Sequence, residues 1–415
     1  MQIWLTVMGF AFSKQAVPAS RLLASRANPP ASLPEEPWPT LQRPSCWTVE
    51  APAGPPAGGG DVELLVSSHQ ALLGFNVRSG CFRRLSAGRG HYYGVVPAHA
   101  LNGTSSAAPW LLVGSQSKLA EPARNASVSL PAARDVALLL DPSTRRTLGW
   151  FLLPTSYLHD MVFDDSTRDA YAIDSDTGLV SRLALEVSEP LAGRSHASEG
   201  PSDDTDSTLP LGSGAAASLW VRRTYRAVAH SSMSSAAHIN NLVFGLGKMW
   251  VMHNNMHRRS KLQLVDLGSG ELQASFPLGG RNCHNPCWHH GELLYLLSGV
   301  GGLGRLSPDG SSTTLWSAGS QWFSKGLAVV DDIAYFGVSP KSRWAAQRNW
   351  AECELAAFDL RAGALLWRTP LPFPGLINAI SAPRVAPTCS WRACSSTSDG
   401  QQHGPRPGQW AGVDG

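Results

Sequence analysis

His159-Asp-Met-Val-Phe163, Asn240-Asn-Leu-Val-Phe244, His284-Asn-Pro-Cys-Trp288 and Lys325-Gly-Leu-Ala-Val329 are four copies of one phrase, a polar pair followed by three apolar residues. Each copy is followed by a turn and a second apolar run, as in Gly247-Lys-Met-Trp-Val-Met252 or Glu292-Leu-Leu-Tyr-Leu-Leu297. An amphipathic strand such as Lys261-Leu-Gln-Leu-Val-Asp266 comes next. Units of about four short strands, repeated at this spacing, are the sequence signature of radial β-architecture. The phrase therefore reads as the entry to a blade, and the fold class as all-β.

Working outward, the units can be laid end to end. Residues 61–87 hold three strands, Glu63-Leu-Leu-Val-Ser-Ser68, Ala71-Leu-Leu-Gly-Phe-Asn-Val77 and Cys81-Phe-Arg-Arg-Leu-Ser86, and lack a fourth. Further units open at Gly90-His-Tyr-Tyr-Gly-Val-Val96, His159, Ala237-His-Ile-Asn-Asn241, Cys283-His-Asn285 and Trp322-Phe-Ser-Lys-Gly326. One more opening phrase, Gly375-Leu-Ile-Asn-Ala-Ile-Ser381, has no clear second strand after it. If it supplies the inner strand missing from residues 61–87, the chain closes as a six-bladed β-propeller with no open sheet edge; the competing layout is a truncated seventh blade. The domain reading is a targeting or disordered segment at 1–60, a propeller at 61–383 with a disordered Ser/Gly/Ala/Pro/Asp-rich insertion at 187–217, and a disordered tail at 384–415.

Composition agrees with one large all-β unit of 415 residues: Gly 40 and Pro 30 supply turns, and Trp 15 supplies bulk for packing between blades. Charged residues are 16%, net charge is +3, and the basic residues are scattered, which disfavours nucleic acid as a partner. The apolar run Ile3–Phe12 is too short to span a bilayer, so no transmembrane segment is expected. With Ala16-Val-Pro-Ala19 after it the run reads as a signal peptide. The basic, acid-free start with Lys14, Arg21 and Arg26 reads instead as an organelle transit peptide. The sequons Asn102-Gly-Thr104 and Asn125-Ala-Ser127 lean towards a secreted glycoprotein. Seven cysteines leave one unpaired in any full disulfide scheme. Cys283 and Cys287 bracket His284 like a zinc knuckle, but strand alternation puts both on one face with His284 on the other, and His289-His290-Gly291 reads as a hairpin turn.

The run from His238 to Ser381 resembles the six-bladed propeller superfamily that includes regucalcin-like lactonases, strictosidine-synthase-like proteins and NHL-repeat proteins. It is most similar there to a subgroup with a His-x-Asn entry, here His238-Ile-Asn240, and a Lys/Arg-Gly-Leu-Ala phrase, here Lys325-Gly-Leu-Ala328. The rest of the chain shares only the blade pattern. By analogy the resemblance implies chemistry on a small ester or lactone.

Aligning the apolar triplets places His159, Asn240, His284 and Lys325 at one position of different inner strands, with His238 two residues before Asn240 on the same face. Asn378 joins them only if its strand slips by one residue; in the simplest alignment Tyr92 takes the place in its own blade, and whether His91 faces the channel stays open. Three converging histidines call for a divalent metal, zinc before calcium, because neutral imidazoles bind zinc and leave an open position, whereas calcium wants oxygens. The metal set is then His159, His238 and His284, with Lys325 and Asn240 as catalytic groups of a metal-dependent hydrolase or lyase. Asp160, next to His159, should face away, leaving no acid beside Lys325. Two other readings stand beside it: inner-strand His and Asn hydrogen-bonding neighbouring blades around a wet channel, and an anion site centred on Lys325. No phosphate loop, Gly-x-Ser-x-Gly elbow, His-Glu-x-x-His or dinucleotide fingerprint is present. From a different class comes a non-catalytic module binding a protein or glycan through its loops, for which Arg343-Trp-Ala-Ala-Gln-Arg348 mixes arginine with tryptophan.

Overall fold

The computed structural model describes residues 21–22, 47–48, 62–87, 91–97, 111–116, 135–142, 146–164, 166–187, 217–226, 238–254, 258–342 and 345–382. They form six antiparallel sheets arranged as the blades of a closed propeller. Blade 1 joins the strands Glu63–Ser68, Ala71–Asn76 and Cys81–Ala87 to Ile377–Ser381, which pairs with Glu63–Ser68 through Ile380↔Val66 and Ser381↔Leu65. The lone phrase at 375–381 thus closes the ring. Blades 2 to 6 begin with inner strands His91–Pro97, Leu158–Asp164, Ile239–Gly245, His284–His289 and Trp322–Val330.

Alternation puts one apolar face of each blade against each neighbour, so the core is divided by seam. Six separate clusters of buried apolar residues lie one per blade interface, for example Trp250, Phe276, Trp288 and Tyr295 between blades 4 and 5. The tryptophans pack as expected from their number: Trp250 meets Trp288 edge-on at 5.2 Å, and Trp367 lies 5.9 Å from Phe75 across the closing seam. Each such side chain, fully buried, contributes roughly 1.5–3 kcal/mol by removing its surface from water.

One irregularity recurs in every blade. All six inner strands carry a β-bulge at the same level: between Tyr92 and Val95, Leu158 and Asp160, Ile239 and Asn241, His284 and Cys287, Lys325 and Leu327, and Ile377 and Ala379. An extra residue in a strand breaks strict alternation and re-aims the side chains around it. Where the bulge needs a left-handed backbone the sequence supplies Gly94, Asn285 or Gly326, with φ of 70°, 50° and 76°.

The bulge corrects one expectation. Cys283 packs in the cluster between blades 4 and 5, whereas Cys287 lies against the cluster between blades 5 and 6, so the two face opposite sides and form no knuckle. Both are free thiols, as is Cys353, while Cys81 is disulfide-bonded. His290 and Gly291, with φ of 47° and 81°, make the hairpin turn read from the sequence.

Two short pieces of the first sixty residues, Arg21–Leu22 and Trp47–Thr48, extend the outer edges of blades 3 and 1. The remainder of that segment, the insertion at 188–216, the chain beyond 382 and both sequons lie outside the described residues. No helix of the described residues is long and apolar enough to cross a membrane.

Candidate active site at the ring centre

The bulges build the site. Because each inner strand slips at the same level, Tyr93, His159, Asn240, His284, Lys325 and Asn378 occupy equivalent places on the six blades. Four of these were expected. Asn378 enters because its bulge provides the one-residue slip that alternation alone forbids. Tyr93, not Tyr92, completes the layer: its ring lies 5.4 Å from His159 and 4.8 Å beneath the Lys325 Nζ. Gly94 aligned with Gly326 was the signal for that phase.

Towards the strand starts lies a wider ring. His238 meets His159 edge-on at 4.9 Å, Tyr157 lies 6.1 Å from His238, and Phe323 meets His284 at 5.4 Å. His91 stacks on His69 at 4.1 Å, and His69 also approaches Tyr93. Below the histidine layer runs a buried polar belt. Asn241 donates to Asp160 (2.8 Å) and accepts from the Asn285 backbone N–H (2.9 Å), and Asn285 accepts from the Gly326 N–H (2.8 Å). Asp160 therefore does not face away, since a bulge lets consecutive residues serve the same side.

Hydrogen bonds fix the imidazole tautomers. The His159 Nδ1–H donates to the Asn240 carbonyl at 3.0 Å, and the His284 Nδ1–H is shared between the Asn282 carbonyl and Ser298 Oγ, both at 2.8 Å. Carbonyls only accept, so Nδ1 carries the proton and Nε2 keeps its lone pair. Neither Nε2 has a protein hydrogen bond among the described residues. Asn240 donates its amide to the Cys283 carbonyl (2.9 Å), yet its Oδ1 is buried without a donor. An orphaned buried acceptor costs roughly 1–3 kcal/mol.

Burial sets the charge states. It drives His159 and His284 well below the ordinary histidine value, with Lys325 adding to the shift, and lowers His238 to about 4. All three imidazoles are neutral at physiological pH. Burial likewise lowers Lys325 to about 7, with the Arg348 charge adding and Asp160 opposing, and raises Asp160 to about 6. An acid thus does act on Lys325, contrary to the alternation argument. Burial pushes the Tyr93 phenol well up, so it remains a hydroxyl.

The three histidines come together but do not close. Among the described residues one set of three His, Cys, Asp or Glu side chains brings all its donor atoms within 4.8 Å, and that set is His289, His290 and Asp332, at the turns that follow the inner strands of blades 5 and 6. Arg361 already pairs with Asp332 there. In the central set His159 and His284 stack at 5.9 Å, and His238, whose ring makes no hydrogen bond among the described residues, must turn to complete a triad. The donor chemistry fits a divalent ion: neutral imidazoles, Nδ1 held from behind, Nε2 unpartnered. His253 stays within blade 4, paired with Ile239 and Lys261, and does not contribute. Sequence reasoning missed Tyr93, His69 and the Tyr157 and Phe323 walls.

Fold and site together define a six-bladed β-propeller with a polar centre. No family model matches the chain, and no curated protein matches it. Solved structures similar to it include a chain of a nidogen/laminin complex (TM-score 0.47, 9% identity, 77% of this chain and 97% of that one). Another is a protein from Lactobacillus plantarum (0.46, 10%, 77% and 98%), and a third is virginiamycin B lyase from Staphylococcus aureus (0.37, 11%, 68% and 71%).

Proposed function

We propose that the ring centre is the active site of a metal-dependent hydrolase or lyase acting on a small ester or lactone-like substrate, with His159, His238 and His284 holding a divalent ion, zinc before calcium. The observation that carries this reading is the pair of fixed Nδ1–H tautomers on His159 and His284, which leave each Nε2 lone pair without a protein hydrogen bond among the described residues. Oxygen ligands that calcium would need are few, since Asp160 is engaged by Asn241 and the Met161 N–H. A zinc ion held there would supply Lewis acidity and an acidified water. Asn240 Oδ1 accepts a hydrogen bond from a substrate hydroxyl or from water, and Lys325, poised near neutrality, takes or gives the proton at Nζ. Tyr157 and Phe323 wall the mouth.

The test is elemental analysis of the purified full chain beside a His159→Ala, His238→Ala, His284→Ala triple variant, with ester and lactone hydrolysis assayed in parallel. Near-stoichiometric zinc that disappears from a folded variant, together with activity, supports the reading. Absence of metal from the wild type after zinc is added sinks it.

The second reading, a non-catalytic module for a protein or glycan, is favoured by the belt in which Asp160, Asn241 and Asn285 hydrogen-bond blade to blade. Under it the triple variant keeps full partner capture. For location we propose an oxidising compartment on the secretory route, supported by the disulfide at Cys81; an unchanged mobility on reduction would count against it.

A further inference from the structure

Lys325 is 3% exposed, and its ammonium makes one hydrogen bond, to Asn378 Oδ1 at 3.2 Å, beside its contact with the Tyr93 ring. Buried lysines are nearly always paired with a carboxylate. This one is not: Asp160, the acid that acts on it, has one oxygen on Asn241 and the other on the Met161 N–H. A second cation lies on the same side of the ring centre, next to Phe323. Arg348 has no ion pair among the described residues, and its guanidinium lies 5.9 Å from the Phe323 ring, itself against His284.

Arg348 is held there by its segment. The 3-10 turn Ala345–Asn349 connects two strands of blade 6 but is bound to blade 1, through the Leu376 N–H to the Arg348 carbonyl (2.9 Å), Gln70 to the Asn349 carbonyl (3.1 Å) and the His69 Nδ1–H to Asn349 Oδ1 (3.0 Å). The charge of Arg348 is felt by His69, His238, His284 and Lys325. Two cations without a carboxylate partner among the described residues, one buried and one exposed, lie beside neutral imidazoles.

We infer that the ring centre recognises a small molecule by a carboxylate, held between Lys325 at the base and Arg348 at the rim, with Asn240 Oδ1 accepting from a hydroxyl on the same molecule. This rests on the active-site reading above, with Lys325 holding the carboxylate in place of proton transfer, and adds the substrate class: a hydroxy acid, or an ester or lactone that also carries a free carboxylate. A carboxylate suits the site because a guanidinium and an ammonium can share its two oxygens.

The experiment is calorimetric titration of the full chain, stripped of metal by chelator, with lactate, lactamide and inorganic phosphate at constant ionic strength. Expected is saturable binding of lactate and none of lactamide, weakened at least tenfold in Lys325→Met and severalfold in Arg348→Gln. The second variant changes an exposed side chain, so it reports even if the first fails to fold. Absence of lactate binding, or lactate binding indifferent to both substitutions, overturns the inference. So does binding that appears only after zinc is restored, because the carboxylate would then be a metal ligand. Phosphate bound more tightly than lactate overturns the carboxylate assignment. Since the deciding titrations are made before any zinc is restored, the inference can hold when the metal triad fails, and can fail when the triad holds.

Discussion

The Lys325 Nζ lies 3.2 Å from Asn378 Oδ1 across the seam where blade 6 meets blade 1, so the contact that anchors the buried amine also spans the closure of the ring. Asn378 continues the connection by donating to the Tyr92 carbonyl of blade 2 at 2.8 Å. Ring closure and the candidate site share these residues.

Lys325→Met should change how stability depends on pH. The folded value of Lys325, about 7, lies below the unfolded 10.5. Between those values the unfolded chain binds more protons, so stability rises with pH from about 7 to 10.5 and the buried charge weighs against folding below that window. His159 and His284 beside it are already neutral, and Asp160 is ionised above about 6, so none of the three titrates inside the window. Denaturant unfolding across pH 7–10 should show that rise in the wild type and its loss in the variant; parallel curves would refute it.

Asp160→Asn should be as harmful as Asn241→Ala. Both Asp160 oxygens accept, one from Asn241 and one from the Met161 N–H, so an amide must turn a donor on a donor. Asn241 cannot flip without losing the Asn285 N–H. Each substitution should cost about 1–3 kcal/mol in urea unfolding, and a silent Asp160→Asn would show that the belt does not bear on stability.

Gly326→Ala and Gly247→Ala separate strain from crowding. Both glycines have positive φ, 76° and 71°. A Cβ at 247 meets nothing within 4 Å, whereas at 326 it would lie 2.6 Å from Ile377 Cγ2. The backbone term is about 1–2 kcal/mol at each, and overpacking adds about 1–3 kcal/mol at 326 alone. Equal losses of melting temperature would contradict the close approach of blades 6 and 1.

A chain ended after Ala382 should remain folded and monomeric in size-exclusion chromatography. One ended after Leu376 loses the strand Ile377–Ser381 and bares the edge of Glu63–Ser68, so it should elute as aggregate. Identical elution of the two would show that the ring does not need its last strand.

The blade order was legible because apolar alternation and turn residues recur along the chain, and even the split blade could be read from an opening phrase with no second strand behind it. The site was legible only in part. His159, Asn240, His284 and Lys325 could be aligned by their apolar triplets. Asp160, Tyr93 and Asn378 could not be phased, because period-two reasoning carries no bulge, and Gly94, Asn285 and Gly326 mark one only when set side by side. Arg348 and His69 lie on connections between the second and third strands of their blades, and their positions depend on packing between chain segments some 280 residues apart, such as His69 against Asn349.

The late position of Ile377–Ser381 has a consequence for biosynthesis. Every other blade precedes it in the chain, so during translation Lys325 emerges before Asn378 exists and before Tyr93 is locked to it through blade 1. Until that strand docks, the amine is hydrated and behaves as an ordinary lysine. The surroundings of Lys325 are therefore complete only once that strand docks, and a product terminated before Ile377 carries Lys325 without its Asn378 partner.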